Sequence, residues 1–419
     1  MPCLTNIGTL VTCPPEGGQG DLGAVRGAAM VWEGDTITWL GPRADLPREA
    51  DQREGASGNG PSYDCGGRLV IPGLVDCHTH LAFGGWRADE FAARSAGTGY
   101  PEIAARGGGI ASTVRATRAM SRQELADRAG GFLQGMVRLG ITAVECKSGY
   151  GLSVEHELRT LRAYRDLSGS GAPRLVPTCL AGHMVPAEYA GDRQGYIRLV
   201  TEEILPAVAR EGLASFCDAF LEPGPGLDAA ETTAVLEAGH RHGMVAKLHA
   251  DQLTDGGGAR LAASLGAISA DHLERVSDEG IEAMAEAGTI AVVLPIAGVY
   301  LNCPPPPVRR MVEAGVQVAV ATDFNPGSAP SYHLPLALTL ACVKMGMSPA
   351  EAVRGATTVA ARACGLEEVS GSLAPGRPAD FAVIDAPDVD SWLYHFKEGT
   401  CAATVIGGVT VAGQLPGSQ

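Results

Sequence analysis

Between residues 68 and 365, short β-rich runs alternate with helical stretches, and this alternation restricts the fold more than any other feature of the chain. Candidate strands fall at 69–74, 142–145, 175–180, 214–219, 244–248, 267–270, 289–294 and 316–321. The stretches between them, such as SRQELADRAGGFLQGMVRLG and DEGIEAMAEAG, are amphipathic with helical spacing. Parallel strands need long crossovers, which helices supply. Eight βα units over ~300 residues predict an α/β fold of the (β/α)8 TIM-barrel type. A doubly wound open sheet is the competing arrangement, and it calls for a nucleotide fingerprint or another switch-point site. The glycine runs at 107–109 and 256–258 lack G-x-G-x-x-G spacing after a strand, and no Lys-Ser/Thr follows them. They read as βα loops.

The two ends of the chain look like halves of one unit. Residues 29–41 suggest two strands around a Glu33-Gly34-Asp35 turn, 51–61 form a glycine-rich polar loop, and 371–384 and 404–409 are again β-like. Neither end has enough apolar length to fold alone. We expect residues 1–66 and 369–419 to pair into a small β-sandwich domain, with 67–368 as the inserted barrel. A hydrophobic fraction of 45% and 19% charged residues exclude general disorder. The net charge of −15 argues against nucleic acid or anionic membrane as partner.

The 11 cysteines include no C-x-x-C pair and suit reduced, buried thiols. The N-terminal residues show neither the basic nor the apolar region of a secretory signal. The uncharged run 287–308 holds Pro295 and ends in Pro304 to Pro307, so it reads as a buried strand followed by a loop rather than a membrane span. A cytoplasmic location is the expectation.

His78, His80, His183, His249 and His272 all fall just past the end of a predicted strand, the end that forms the active-site mouth of a barrel. His156, His240, His242, His333 and His395 fall on helices or loops, where structural or solvated roles suffice. In VDCHTH, residues 78 and 80 project to the same side of an extended segment. Both imidazoles can then reach one metal over bonds of ~2.1 Å. His249 and Asp323, at two further strand ends, complete three imidazoles and a carboxylate. That set suits Zn2+ or Fe2+ with room for a water.

The segments VDCHTHLAFGGWRADEF, Tyr100-Pro101-Glu102-Ile103 leading to ARGGGI, ECKSGYGL, AGHMVP, KLHADQL, SADHLE and ATDFNPGS, with SLAPGRPADFAVID near the end, resemble the amidohydrolase superfamily. They span essentially the whole barrel in the expected order. The resemblance implies one divalent metal, Zn2+ or Fe2+, on His78, His80, His249 and Asp323. It makes Asp323 the proton acceptor and His272 the group addressing the substrate carbonyl. Binuclear relatives carry a lysine on the fourth strand; 214–220 has none, which favours one metal. Lys147 reads equally as a salt-bridged wall residue or a substrate contact.

KSGYGL, RGGGI and DFNPGS narrow the implied activity to hydrolysis of 4-imidazolone-5-propanoate to N-formimidoyl-L-glutamate, a step of histidine degradation. Arg87 can clamp the propionate carboxylate. Tyr150, His183, Asn325, Gly327, Ser328 and, more weakly, Tyr100 resemble substrate-contacting positions. One departure stands out: many relatives carry Glu three residues after the fifth-strand histidine, whereas here the residue is Gln252, which cannot act as a general base. Another heterocycle, handled by a cytosine or guanine deaminase-like or hydantoinase-like enzyme, is the alternative. A non-catalytic barrel predicts an eroded ligand, and none is eroded. The resemblance further implies a homodimer acting on a small molecule.

Overall fold

The structure is a computed structural model that describes residues 1–48, 61–98, 102, 107–169 and 172–417. Strands β1 (Cys3–Val11), β2 (Ala24–Glu33), β3 (Thr36–Pro42), β4 (Ser62–Asp64) and β5 (Leu69–Pro72) precede the barrel. The barrel strands are β6 (Leu74–Asp76), β7 (Ile141–Lys147), β8 (Arg174–Gly182), β9 (Phe216–Ala219), β10 (Val245–Ala250), β11 (Ser269–His272), β12 (Ile290–Val293) and β13 (Val318–Val320). Strands β14 (Phe381–Ile384), β15 (Cys401–Ile406) and β16 (Val409–Gly413) follow.

From β6 to β13 each strand pairs with the next, in parallel. The ring closes just beyond the ends of β13 and β6. There Thr79 and Phe324 form a parallel bridge, His80 N donates to Phe324 O at 2.9 Å, and Asp323 N donates to His78 O at 3.0 Å. The buried Asp76 carboxylate locks the seam by accepting from Thr322 N at 3.0 Å and Thr322 Oγ1 at 2.6 Å. Closure and candidate site therefore share the same backbone.

Both ends of the chain build one mixed sheet in the order β16-β15-β14-β5-β1-β2-β3, with β4 beside β1. Trp32 on β2 and Phe381 on β14 are three strands apart, about 14 Å in a flat sheet at ~4.8 Å per strand. Their ring centroids are only 5.5 Å apart, so the sheet curls back on itself around a core that includes Leu4, Ile7, Val70 and Val405. That curl produces the sandwich.

Two local expectations need correction. The predicted strand 69–74 is two strands, one in each domain, separated at Gly73. A Cβ at Gly73 would lie 2.1 Å from Thr142 Oγ1, so only glycine lets the chain cross there. The predicted loop after 294 instead contains a helix, Pro295–Leu301, which starts with proline in the first turn where its missing N–H costs nothing. The polar loop at 51–61 lies outside the described residues except for Pro61. The glycine runs serve loops: Gly109 N donates to Glu90 and the N–H groups of Gly256 and Gly258 to Asp251, carboxylates that occupy the donors a phosphate would need. Cys13, Cys65, Cys77, Cys146, Cys179, Cys217 and Cys364 are buried free thiols. Among the described residues, no helix is long and apolar enough to cross a membrane.

Candidate active site

The structure brings His78, His80, His249, His272 and Asp323 together at the mouth, all buried. His80 Nε2 is 3.5 Å from His249 Nε2, and Asp323 Oδ1 is 3.5 Å from the Nε2 atoms of both His78 and His80. Four ligands on arms of ~2.1 Å around one tetrahedral ion sit about 3.4 Å apart, so these spacings fit a group that could hold an ion. His78 Nε2 is buried without a hydrogen-bond partner, a cost that an ion would remove.

Groups behind the cluster orient it. His78 Nδ1 lies 2.6 Å from Asp271 Oδ2, so it carries the proton and leaves Nε2 with its lone pair toward the cluster. His249 Nδ1 is 3.0 Å from Asp218 Oδ2, though off the axis of its N–H. The backbone is strained where the chemistry converges, with φ of 81° at His272 and 55° at Asp323. In an extended strand Asp271 and His272 would face opposite sides. The turn at His272 lets Asp271 support His78 from below while His272 lines the cavity.

Burial lowers the His183 imidazole well below its usual value, with His80 and His249 adding to the effect. Burial likewise drops His80 to about 4 and keeps His272 neutral. For Asp323, burial is outweighed by hydrogen-bonding contacts with His78 and His80, and the carboxyl stays well below the usual range. Glu274, whose Oε2 lies 3.9 Å from His272 Nδ1, is pushed up to about 8 by burial.

A cavity of about 600 Å³ opens over the cluster. Arg87, Tyr150, His183, Gln252, Asn325, Gly327 and Ser328 all line it, alongside His80, His249, His272 and Asp323. Arg87 Nε donates to the buried Glu90 at 2.9 Å, which fixes its guanidinium against Gly327. A Cβ on Gly327 would lie 2.1 Å from Arg87 Nη1, so a side chain there would displace the guanidinium from this position. His183 Nδ1 lies 3.0 Å from Gly149 O; a carbonyl only accepts, so Nδ1 is the donor and Nε2 is left as an acceptor.

Asn325 is spent within its own turn. Its Nδ2 donates to Asp323 O at 2.6 Å and Ser328 Oγ at 2.9 Å, and its Oδ1 accepts from Gly327 N and Ser328 N at 2.8 Å each. Tyr100 lies outside the described residues. Lys147 lies below the mouth, ion-paired and fully buried, the wall role among the two open to it. Asp218 and Asp271 were not singled out by sequence; for Asp218 a lone carboxylate within the apolar strand FCDA was the available signal, and Asp271 sits beside His272 in SADH. Arg94, Phe91 and Tyr300 also line the cavity, and no spacing pattern marks them.

A closed parallel barrel with a histidine-aspartate cluster at its carboxyl-terminal rim defines the metal-dependent barrel hydrolases. The amidohydrolase family model matches residues 69–414, and the chain belongs to that family. Within it, the chain is 47% identical to an imidazolonepropionase of Cupriavidus pinatubonensis over 91% of this chain and 89% of that protein. An imidazolonepropionase of Symbiobacterium thermophilum is 45% identical over 96% and 95%, respectively. One of Geobacillus kaustophilus is 42% identical over 93% and 91%. The fold matches an atrazine chlorohydrolase of Arthrobacter aurescens in complex with zinc, with a TM-score of 0.72, 18% identity and coverage of 99% and 96%.

Proposed function

We propose that the protein hydrolyses the cyclic amide of 4-imidazolone-5-propanoate to N-formimidoyl-L-glutamate in histidine degradation. The observation that carries the reading is the shared cavity: Arg87 faces the same space as His80, His249 and Asp323 of the cluster, in a chain 47% identical to an imidazolonepropionase. His78, His80, His249 and Asp323 would hold one divalent ion, Zn2+ or Fe2+, and their 3.5 Å spacings support it. When bound, such an ion polarises the carbonyl and lowers the pKa of water from 15.7 to ~7.

The protein's own groups do the rest. Arg87, braced by Glu90, takes the propionate with charge-assisted hydrogen bonds. His183 Nε2 accepts from a ring N–H, and Tyr150 and Gln252 border the ring. Neutral His272 donates an N–H toward the carbonyl oxygen, stabilising charge that builds there. Asp323 takes a proton from the attacking water. The water oxygen adds to the carbonyl carbon, sending the C=O π pair to the oxygen that His272 faces. The carbonyl then re-forms as the ring C–N bond breaks, and Asp323 returns its proton to the departing nitrogen.

Buried free thiols such as Cys77, Cys146 and Cys217 support a reducing, cytoplasmic setting, and the charge of −15 supports a small-molecule enzyme without nucleic-acid or membrane partners. A homodimer rests on the family resemblance. The direct test mixes purified protein with freshly made imidazolone propanoate and follows ring loss optically. Cytosine, guanine and hydantoin are run in competition; turnover of one of these in place of the imidazolone would overturn the reading.

Two variants probe recognition. Arg87→Met should lower kcat/KM by about 10- to 150-fold, mostly through KM, because a hydrogen bond to a charged group is worth ~1.5–3 kcal/mol. On an analogue without the carboxylate, variant and wild type should converge. Gln252→Glu should keep the fold and add a new ionisation to the pH–rate profile. An unaltered profile would mean that Gln252 does not touch the substrate.

A further inference from the structure

Below the mouth, the barrel holds a charged cluster that the reaction above does not use. Lys147 Nζ lies 2.9 Å from Glu145 Oε1, 2.8 Å from Asp218 Oδ2 and 3.7 Å from Asp271 Oδ2, and all four side chains are fully buried. Two of those oxygens also face the metal cluster. Asp218 Oδ2 is 3.0 Å from His249 Nδ1, and Asp271 Oδ2 is 2.6 Å from His78 Nδ1. Each oxygen is therefore held between the same ammonium and a different candidate ligand. Glu145 is tied on its other side by the Thr79 N–H at 3.3 Å and the Thr178 hydroxyl. A second buried lysine, Lys247, hydrogen-bonds Ser269 Oγ at 3.2 Å and does not span the two carboxylates as Lys147 does.

We infer that Lys147 is a positioning residue for the metal centre: its ammonium clamps Asp218 and Asp271 so that His249 and His78 are oriented together. The inference rests on the metal reading above. Without Lys147, Asp218 would lose its contact with a buried ammonium, leaving Lys247, whose charge acts on Asp271 and Glu145. Glu145, Asp218 and Asp271 would then share a dry interior where repulsion is weakly screened. Their relief is to move apart, which releases both imidazoles at once. Changes at groups that orient ligands cost about 10- to 100-fold in metal affinity. One lysine that serves two ligands should reach the upper end of that range. A merely structural lysine would lower the stability of the fold and leave the affinity of folded protein untouched.

The test compares wild type with Lys147→Met, Lys147→Arg and the double variant Lys147→Met/Glu145→Gln, which removes one charge of each sign and so spares the fold. Apoprotein is titrated with Zn2+ against a chromophoric chelator, and the Co2+ form is examined by visible absorption. We expect wild type to bind one equivalent. The methionine variants should bind about 100-fold more weakly with an altered Co2+ spectrum, and arginine should recover part of the affinity. Wild-type affinity and spectrum in either folded methionine variant would overturn the positioning role alone. A wild type that binds no metal would overturn the metal reading beneath it.

Discussion

Asp323→Asn is expected to lower kcat by about 10²- to 10⁴-fold, the usual worth of a positioned acid-base group. KM for the imidazolone should change little, because Arg87 and His183, the proposed substrate contacts, line other parts of the wall. The amide keeps the size and one acceptor oxygen of the carboxylate, but cannot carry a proton. The loop also keeps its shape, since Asn325 grips the backbone carbonyl of residue 323, not its side chain. Metal content measured beside the rate separates two effects. A variant that binds metal and is slow supports proton transfer at Asp323; one that binds metal and turns over within a few-fold of wild type removes it from that role.

The position of Asp323 was legible because a strand end in a barrel is a predictable place: the run before it ends in a turn, and the residue after the strand reaches the mouth. His78 and His80 were legible by period two, and His249 by the same rule of strand ends. Gly73 shows where such reading stops. Residues 69–74 are one apolar run, and nothing local says that their first part pairs with the C-terminal strand β14 while the remainder joins β7. Asp218, Asp271 and Lys147 come from three strands, and their meeting depends on barrel register, which no local pattern encodes. Asn325 marks a different limit. An amide beside Asp323 suggests recognition; its place on the cavity wall fits that, but its hydrogen bonds within the turn are visible only in three dimensions.

Stripping the divalent ion with a strong chelator should abolish turnover and leave a folded, less stable protein, with both losses reversed by Zn2+ or Fe2+. The activity loss is large because water at neutral pH is a poor nucleophile; moving its pKa from 15.7 to ~7 raises the deprotonated fraction by about 10⁸. The stability loss is smaller and follows mass action. At a free ion concentration 1,000 times Kd, binding contributes ~4 kcal/mol. Unfolding entropy of ~2.1 cal/mol/K per residue converts that into about 5 °C of Tm for a chain of 419 residues. The fold should survive because the seam at Asp76 and Thr322 and the ladders from β6 to β13 use no group of the cluster's side chains. What the apoprotein must bear is three imidazoles and a carboxylate crowded at 3.5 Å with His78 Nε2 unpartnered in a dry wall. Thermal melts and turnover with and without chelator measure both terms. An apoprotein with full activity and an unchanged Tm would mean that these four groups meet for some purpose other than holding an ion.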